Sequence, residues 1–180
     1  MTASASPRNV TGRTVAGGLA TVALLAYFAL LVRHTCFVAG GADSSGYLNE
    51  ARAIAAGHIT ERVAAVDALN LQPADAEVFV PLGIKPGPRT GTMVPGYPPG
   101  LPLHMAAAAL IGGWRIAPFL VSPLAAIGSL ILLFILAGQL ALPFGYRLGA
   151  AAVLAACPVF VFQAIQPMSD VVATFWTLAA

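Results

Sequence analysis

From Val15 to Val32 the chain reads VAGGLATVALLAYFALLV, about 18 residues without a charge, and Arg33 and His34 end the run. That is close to the roughly 20 residues a helix needs to cross the hydrocarbon of a bilayer. A cleaved signal peptide is the competing reading, because small residues (VAGGA) precede Asp43. The apolar run exceeds the about 7–15 residues of a signal-peptide core, which favours an uncleaved span. Composition points to the same solvent. Charged residues make up 9% of the chain, against about 25% in an ordinary soluble protein.

The charges that remain are unevenly placed. Six of the seven acids (Asp43, Glu50, Glu61, Asp67, Asp75, Glu77) fall between Gly41 and Gly100, with four of the nine basic residues, and Asp170 stands alone. This stretch is a polar island between apolar blocks. A net charge of +2 and no basic patch with interleaved aromatics argue against a nucleic-acid partner. Cys36 and Cys157 lie in different apolar runs, and a disulfide requires Cα atoms within about 7 Å. Neither cysteine belongs to a zinc-type spacing.

Within the island, Tyr47, Leu48, Ala51, Ile54, Ala55, His58 and Ile59 recur at helical spacing. The stripe predicts a short amphipathic helix lying in the membrane interface, with Asn49, Glu50 and Arg52 on its polar side and Gly57 as its stop. Residues 72–100 are rich in Pro and Gly and predict an ordered, irregular loop. Leu101–Gly113 is too short to cross and suits a re-entrant or interfacial helix, or the first part of a bent span. Further spans are expected at about 114–142, at about 148–165 with a kink at Pro158, and from 170 to 180, where the run is incomplete.

The expected fold class is therefore an all-α polytopic membrane protein: transmembrane helices with an outer-face loop, about 40–100, that carries short amphipathic helices. Residues 1–14 read as a cytoplasmic tail, and 15–180 as the N-terminal part of a longer transmembrane domain. Arg8, Arg13 and Arg147 flank segments that alternate to one side, which the positive-inside tendency makes cytoplasmic. The loop and the turn at Asp170 then share the outer face.

Three features in this order carry a family resemblance: ADSSGYLNEARAIAAGHI after the first span, YPPGLPLHMAAAAL before the second, and QPMSD between the third and fourth. Their order and placement resemble the GT-C class of polytopic glycosyltransferases, the protein-O-mannosyltransferase and aminoarabinose-transferase type. The resemblance implies transfer of a sugar from a polyprenyl-phosphate donor to a lipid, glycan or protein acceptor at the outer face. It implies Asp43 as catalytic base and Asp170 as a supporting acid.

The chemistry fits those residue types. A sugar hydroxyl is a poor nucleophile, and a positioned carboxylate that takes its proton contributes about 10²–10⁴-fold. The departing lipid phosphate calls for basic residues or a divalent metal ion beside it. Lys85 and Arg89 are the nearest basic candidates, with His58 and His104 as further phosphate or metal contacts and Tyr47 and Tyr97 as pocket walls. Each has a structural alternative. Asp43, with Ser44 and Ser45, stands where a helix N-cap would be worth about 1 kcal/mol, and Asp170 stands likewise before the last helix. The tyrosines suit an interfacial belt, His104 a packing role, and Lys85 and Arg89 solvated loop charge. The alternative function is a non-enzymatic transporter segment or assembly subunit that uses the loop for docking. It calls for polar residues lining the spans, where the sequence offers little beyond Thr21, Ser129 and Gln139.

Overall fold

The computed structural model describes residues 7–70, 72, 78–81 and 83–180; Asp75, Glu77 and the start of the tail lie outside them. The chain is mostly helical, in the order α1 (Pro7–His34), α2 (Ala42–Ala55), β1 (Glu61–Arg62), α3 (Ala64–Ala68), β2 (Ile84–Pro86), β3 (Thr92–Pro95), α4 (Gly100–Gly112), α5 (Val121–Gln139), α6 (Phe144–Ala156), α7 (Pro158–Ala164) and α8 (Ser169–Ala179). Among the described residues, two helical segments are long and apolar enough to cross a membrane, Gly17–His34 and Ala117–Gln139. The second includes a 3₁₀ turn at Ala117–Leu120 that leads into α5. α6 and α7 form a third crossing only if taken together, because they bend by 64° where Pro158 follows Cys157. A proline there removes a backbone donor and displaces the preceding turn, so the apolar run breaks rather than curving.

α1 begins at Pro7, about two turns before the apolar run, so helix extends into the stretch expected as tail. Its exposed apolar residues, among them Leu19, Val22 and Leu25, face away from the other elements. At its other end the Cys36 N–H donates to Ile165 O at 2.9 Å, which brings the ends of α1 and α7 together. The core below this junction packs Leu31 against Ala126, Leu130, Phe160, Ala164 and Val171. α5 and α8 approach closely because Gly128 has no side chain; a Cβ there would lie 2.6 Å from the Phe175 ring. The hydroxyls of Thr21 and Ser129 donate to Gly17 O and Ala125 O, one turn back on their own helices. Both are satisfied locally and neither points to a path through the bundle.

Two expectations are corrected in the polar island. First, it is not all helix and irregular loop. β1, β3 and β2 form a small antiparallel sheet in that order, with Glu61 opposite Met93 and Lys85 opposite Val94. The strands have only two to four residues, and Pro86 and Pro95 sit at their ends, where a missing donor is tolerated. Such strands are too short for alternation to show in the sequence. Second, Glu50 is not on a polar face: it is 4% exposed, on the side of α2 turned toward the sheet. α2 is buried on two sides. Tyr47, Leu48 and Ala51 pack on Leu101, Met105 and Ala106 of α4, while Gly46, Glu50 and Ala53 turn to the sheet side. Leu101 and Met105 are almost completely buried, each worth about 1.5–3 kcal/mol relative to exposure.

Gly57 does end α2. It has φ +79, with Gly57 N–H donating to Ile54 O and His58 N–H to Ala53 O, the paired bonds of a Schellman stop. His58 and Ile59 therefore leave the helix instead of continuing its stripe, and His58 Nε2 meets Glu61 Oε1 at 3.0 Å on the surface.

Candidate functional site

Asp43 is the second residue inside α2, and Gly41 is the N-cap. The capping bonds belong to Ser44: its Oγ accepts from Gly41 N–H at 3.0 Å. The Asp43 carboxylate is left for another partner. Tyr97, from the YPPG segment that leads into α4, donates its hydroxyl to Asp43 Oδ1 in a short hydrogen bond. Among the described residues nothing bonds Oδ2. The position in the first turn also suits a negative charge, since the helix N-terminus carries about half a positive charge.

Three glycines make this contact sterically feasible. The Tyr97 ring lies over Gly46, where a Cβ would sit 2.6 Å from Cε2. Gly83 packs into the same spot with φ +84, and its carbonyl accepts from Gly96 N–H at 3.2 Å. The Tyr47 ring stacks at a tilt on Tyr97 with centroids 4.8 Å apart. The Tyr47 hydroxyl in turn bonds Ser169 Oγ at 2.9 Å, at the start of α8. Asp170 is the next residue. It is exposed, and like Asp43 it occupies the second position of its helix, with Met168 as N-cap. A line of contacts thus runs from Asp43 through Tyr97 and Tyr47 to the turn that carries Asp170.

The hydrogen bond to Asp43, then burial and the nearby carboxylate charge, push the Tyr97 phenol above its ordinary value of 10.0. At neutral pH Tyr97 remains a donor that fixes one oxygen of the carboxylate. It acts as a positioning residue. Tyr97→Phe is expected to slow any Asp43-dependent reaction by about 10–100-fold through misplacement of the carboxylate. The check is rate measurement together with ultraviolet titration of the phenols, where one that ionises above the ordinary value of 10.0 should disappear. An unchanged rate would show that Asp43 does not depend on this bond.

The other expected residues divide. His104 Nδ1–H donates to Gly100 O at 2.7 Å, and its Nε2 accepts from the Trp176 indole N–H at 3.2 Å. Both nitrogens are engaged, so His104 ties α4 to α8 in one neutral tautomer. Lys85 is exposed on β2, with its side chain beside Gly96 and therefore near Tyr97 in the chain fold. Arg89 lies in the turn at the opposite end of the hairpin, past Gly87, which is itself about 10 Å from Ile84 along the strand direction. Its carbonyl accepts from Thr92 N–H to close the turn. Among the described residues, no three His, Cys, Asp or Glu side chains come together as metal ligands.

Glu50 falls between the residues of the apolar stripe, which is why the sequence assigns it to the polar side of α2 and not to a site. Asp43 and Glu50 are seven residues apart, which places them on one side of α2 about 10.5 Å apart along its axis. The signal available in the sequence was that i, i+7 spacing of carboxylates. Glu50 Oε2 is buried without a hydrogen-bond partner among the described residues. Burial pushes the Glu50 carboxyl above its ordinary value of 4.5. The folded state therefore holds this proton more tightly than the unfolded chain does, and the group's contribution to stability falls as pH rises through the folded-state value. The difference in urea stability between the protein and Glu50→Gln should widen, in favour of the variant, as pH rises above the ordinary carboxyl value of 4.5. A difference independent of pH would mean that Glu50 ionises as freely when folded as when unfolded.

Comparison with protein-family models, curated proteins and solved structures finds no match for this chain.

Proposed function

We propose that this chain carries the sugar-transfer site of a membrane glycosyltransferase using a polyprenyl-phosphate-linked donor. The observation that carries the proposal is the Asp43 carboxylate. It begins a helix at the end of an apolar span yet is spent on no cap, and it is held by Tyr97 with its second oxygen unbonded by described residues. The acceptor hydroxyl attacks the anomeric carbon while its proton passes to Asp43. The bond from that carbon to the phosphate oxygen breaks, and polyprenyl phosphate leaves, with inversion at the sugar. Asp170 supports the site from the turn that Tyr47 reaches through Ser169. Lys85, whose side chain lies beside Gly96, neutralises the leaving phosphate in this reading, and Arg89 at the hairpin tip meets lipid or phosphate. Tyr47 and Tyr97 form the wall, with His104 bracing the helix beneath it. The acceptor is a lipid, glycan or protein hydroxyl, and a divalent cation beside the phosphate would serve the same end as Lys85.

The meeting of the α1 and α7 ends is what a multi-pass arrangement requires if the loop and the Asp170 turn share the outer face, with the N-terminus cytoplasmic. The test is incorporation of labelled sugar from polyprenyl-phosphate donors by membranes containing the full-length protein, alongside binding of the polyprenyl-phosphate carrier. Carrier binding with transfer supports the enzyme. Failure to bind any such carrier would favour the non-enzymatic reading, a transporter segment or assembly subunit.

A further inference from the structure

Between the second half of α2 and the sheet lies a cavity of about 230 Å³, lined among others by Asn49, Glu50, Glu61, Ile84, Met93 and Val94. This is smaller than the roughly 300–1,000 Å³ of a site for a drug-sized ligand, so it accepts one ring or a short chain. Its composition is two-sided. Glu50 and Asn49 offer hydrogen-bonding groups from α2, while Ile84, Met93 and Val94 present an apolar wall from β2 and β3. Glu50 is 4% exposed, and its Oε2 has no partner among the described residues. A buried acceptor left unpaired costs about 1–3 kcal/mol, so a ligand donor that reaches this oxygen gains a hydrogen bond that no described residue supplies.

A six-membered sugar ring has the matching chemistry: hydroxyl donors around its edge and a face of C–H groups. We infer that this cavity is a pyranose subsite, in which Glu50 and Asn49 hold ring hydroxyls while the C–H face lies on Met93 and Ile84. The choice of a sugar over other ring-sized donors rests on the glycosyltransfer reading above. The cavity shares the side of α2 that carries Asp43, two helical turns away, a separation of about 10.5 Å. It therefore holds a ring belonging to a substrate whose reacting hydroxyl or anomeric carbon reaches Asp43. That ring comes either from the lipid-linked donor or from a glycan acceptor.

The experiment uses the full-length protein in detergent and saturation-transfer NMR. The probes are methyl α-mannopyranoside and methyl α-glucopyranoside, with cyclohexanol and tetramethylammonium as controls for an apolar ring and for a cation. Pyranoside binding that falls at least tenfold in Glu50→Leu is the expected result. Glu50→Leu should also melt no lower than the parent, because it replaces an unpaired buried acceptor by an apolar group of similar size. Should that variant not fold, Glu50→Gln, which keeps the shape, is read instead and should weaken binding. Asp43→Asn should retain pyranoside binding while losing transfer, which separates this subsite from the catalytic proposal. A raised KM for the donor or for the acceptor in the Glu50 variants supports the subsite and identifies which substrate brings the ring. Equal binding by parent and variants, or preference for cyclohexanol or tetramethylammonium, overturns it.

Discussion

Asp43→Asn in the full-length protein is expected to lower sugar transfer by about 10²–10⁴-fold, the usual contribution of a general base. The amount of folded protein should hardly change. Asparagine keeps an oxygen that can accept from Tyr97, and it occupies the same second position of α2. What it gives up structurally is the interaction of a negative charge with the helix N-terminus, about 0.3–1 kcal/mol. The capping bonds remain with Ser44, so they are untouched. This separation of roles makes the substitution informative, because a loss of transfer cannot be blamed on a lost cap. Measurement of transfer rate and melting temperature on the same preparation decides the matter. Near-normal transfer by the variant would remove Asp43 from the chemistry.

The largest structural effect is expected at Gly83, where alanine should cost about 2–5 kcal/mol. Two penalties combine there. The residue has φ +84, and side-chain-bearing residues in the left-handed region lose about 1–2 kcal/mol. A Cβ would also sit 2.6 Å from Ala42 O, a backbone atom at the start of α2, and 2.9 Å from Tyr97 Cε2. Overpacking of that kind adds about 1–3 kcal/mol. The strain falls on the contact between the sheet and α2 that aims Tyr97 at Asp43, so activity should fall with stability. Gly100→Ala is the matched control, because a Cβ there meets nothing within 4 Å and the residue begins α4. Thermal unfolding followed by tryptophan fluorescence should show a clear drop for Gly83→Ala and little change for Gly100→Ala. Equal melting temperatures for the two variants would mean that the sheet does not press on α2.

Much of the helical layout was legible because uncharged runs and proline breaks are local properties. The run that ends at Arg33 and His34, the apolar segment from residue 117 to 139 and the break at Pro158 are all features of a few consecutive residues. Gly57 as a stop was legible for the same reason, since a left-handed residue after a helix favours glycine. The small sheet was not. One of its pairings joins residues about thirty positions apart, such as Glu61 with Met93, the other is a short hairpin, and neither runs over enough residues to leave a period. Glu50 was misplaced because a stripe assigns one buried face, whereas α2 is covered both by α4 and by the sheet.

For the site, the sequence by itself determined that carboxylates stand at the starts of two helices, Asp43 and Asp170, and that a tyrosine precedes the paired prolines. These are matters of residue type and order along the chain. Only the tertiary structure decided what Asp43 does at its helix start. A cap and a tyrosine acceptor occupy the same sequence position, and the difference lies in whether Ser44 takes the amide and whether Gly46 and Gly83 leave room for the Tyr97 ring. The Tyr97–Asp43 bond joins residues 54 positions apart, and packing over such a separation follows from the whole arrangement of α2, α4 and the sheet.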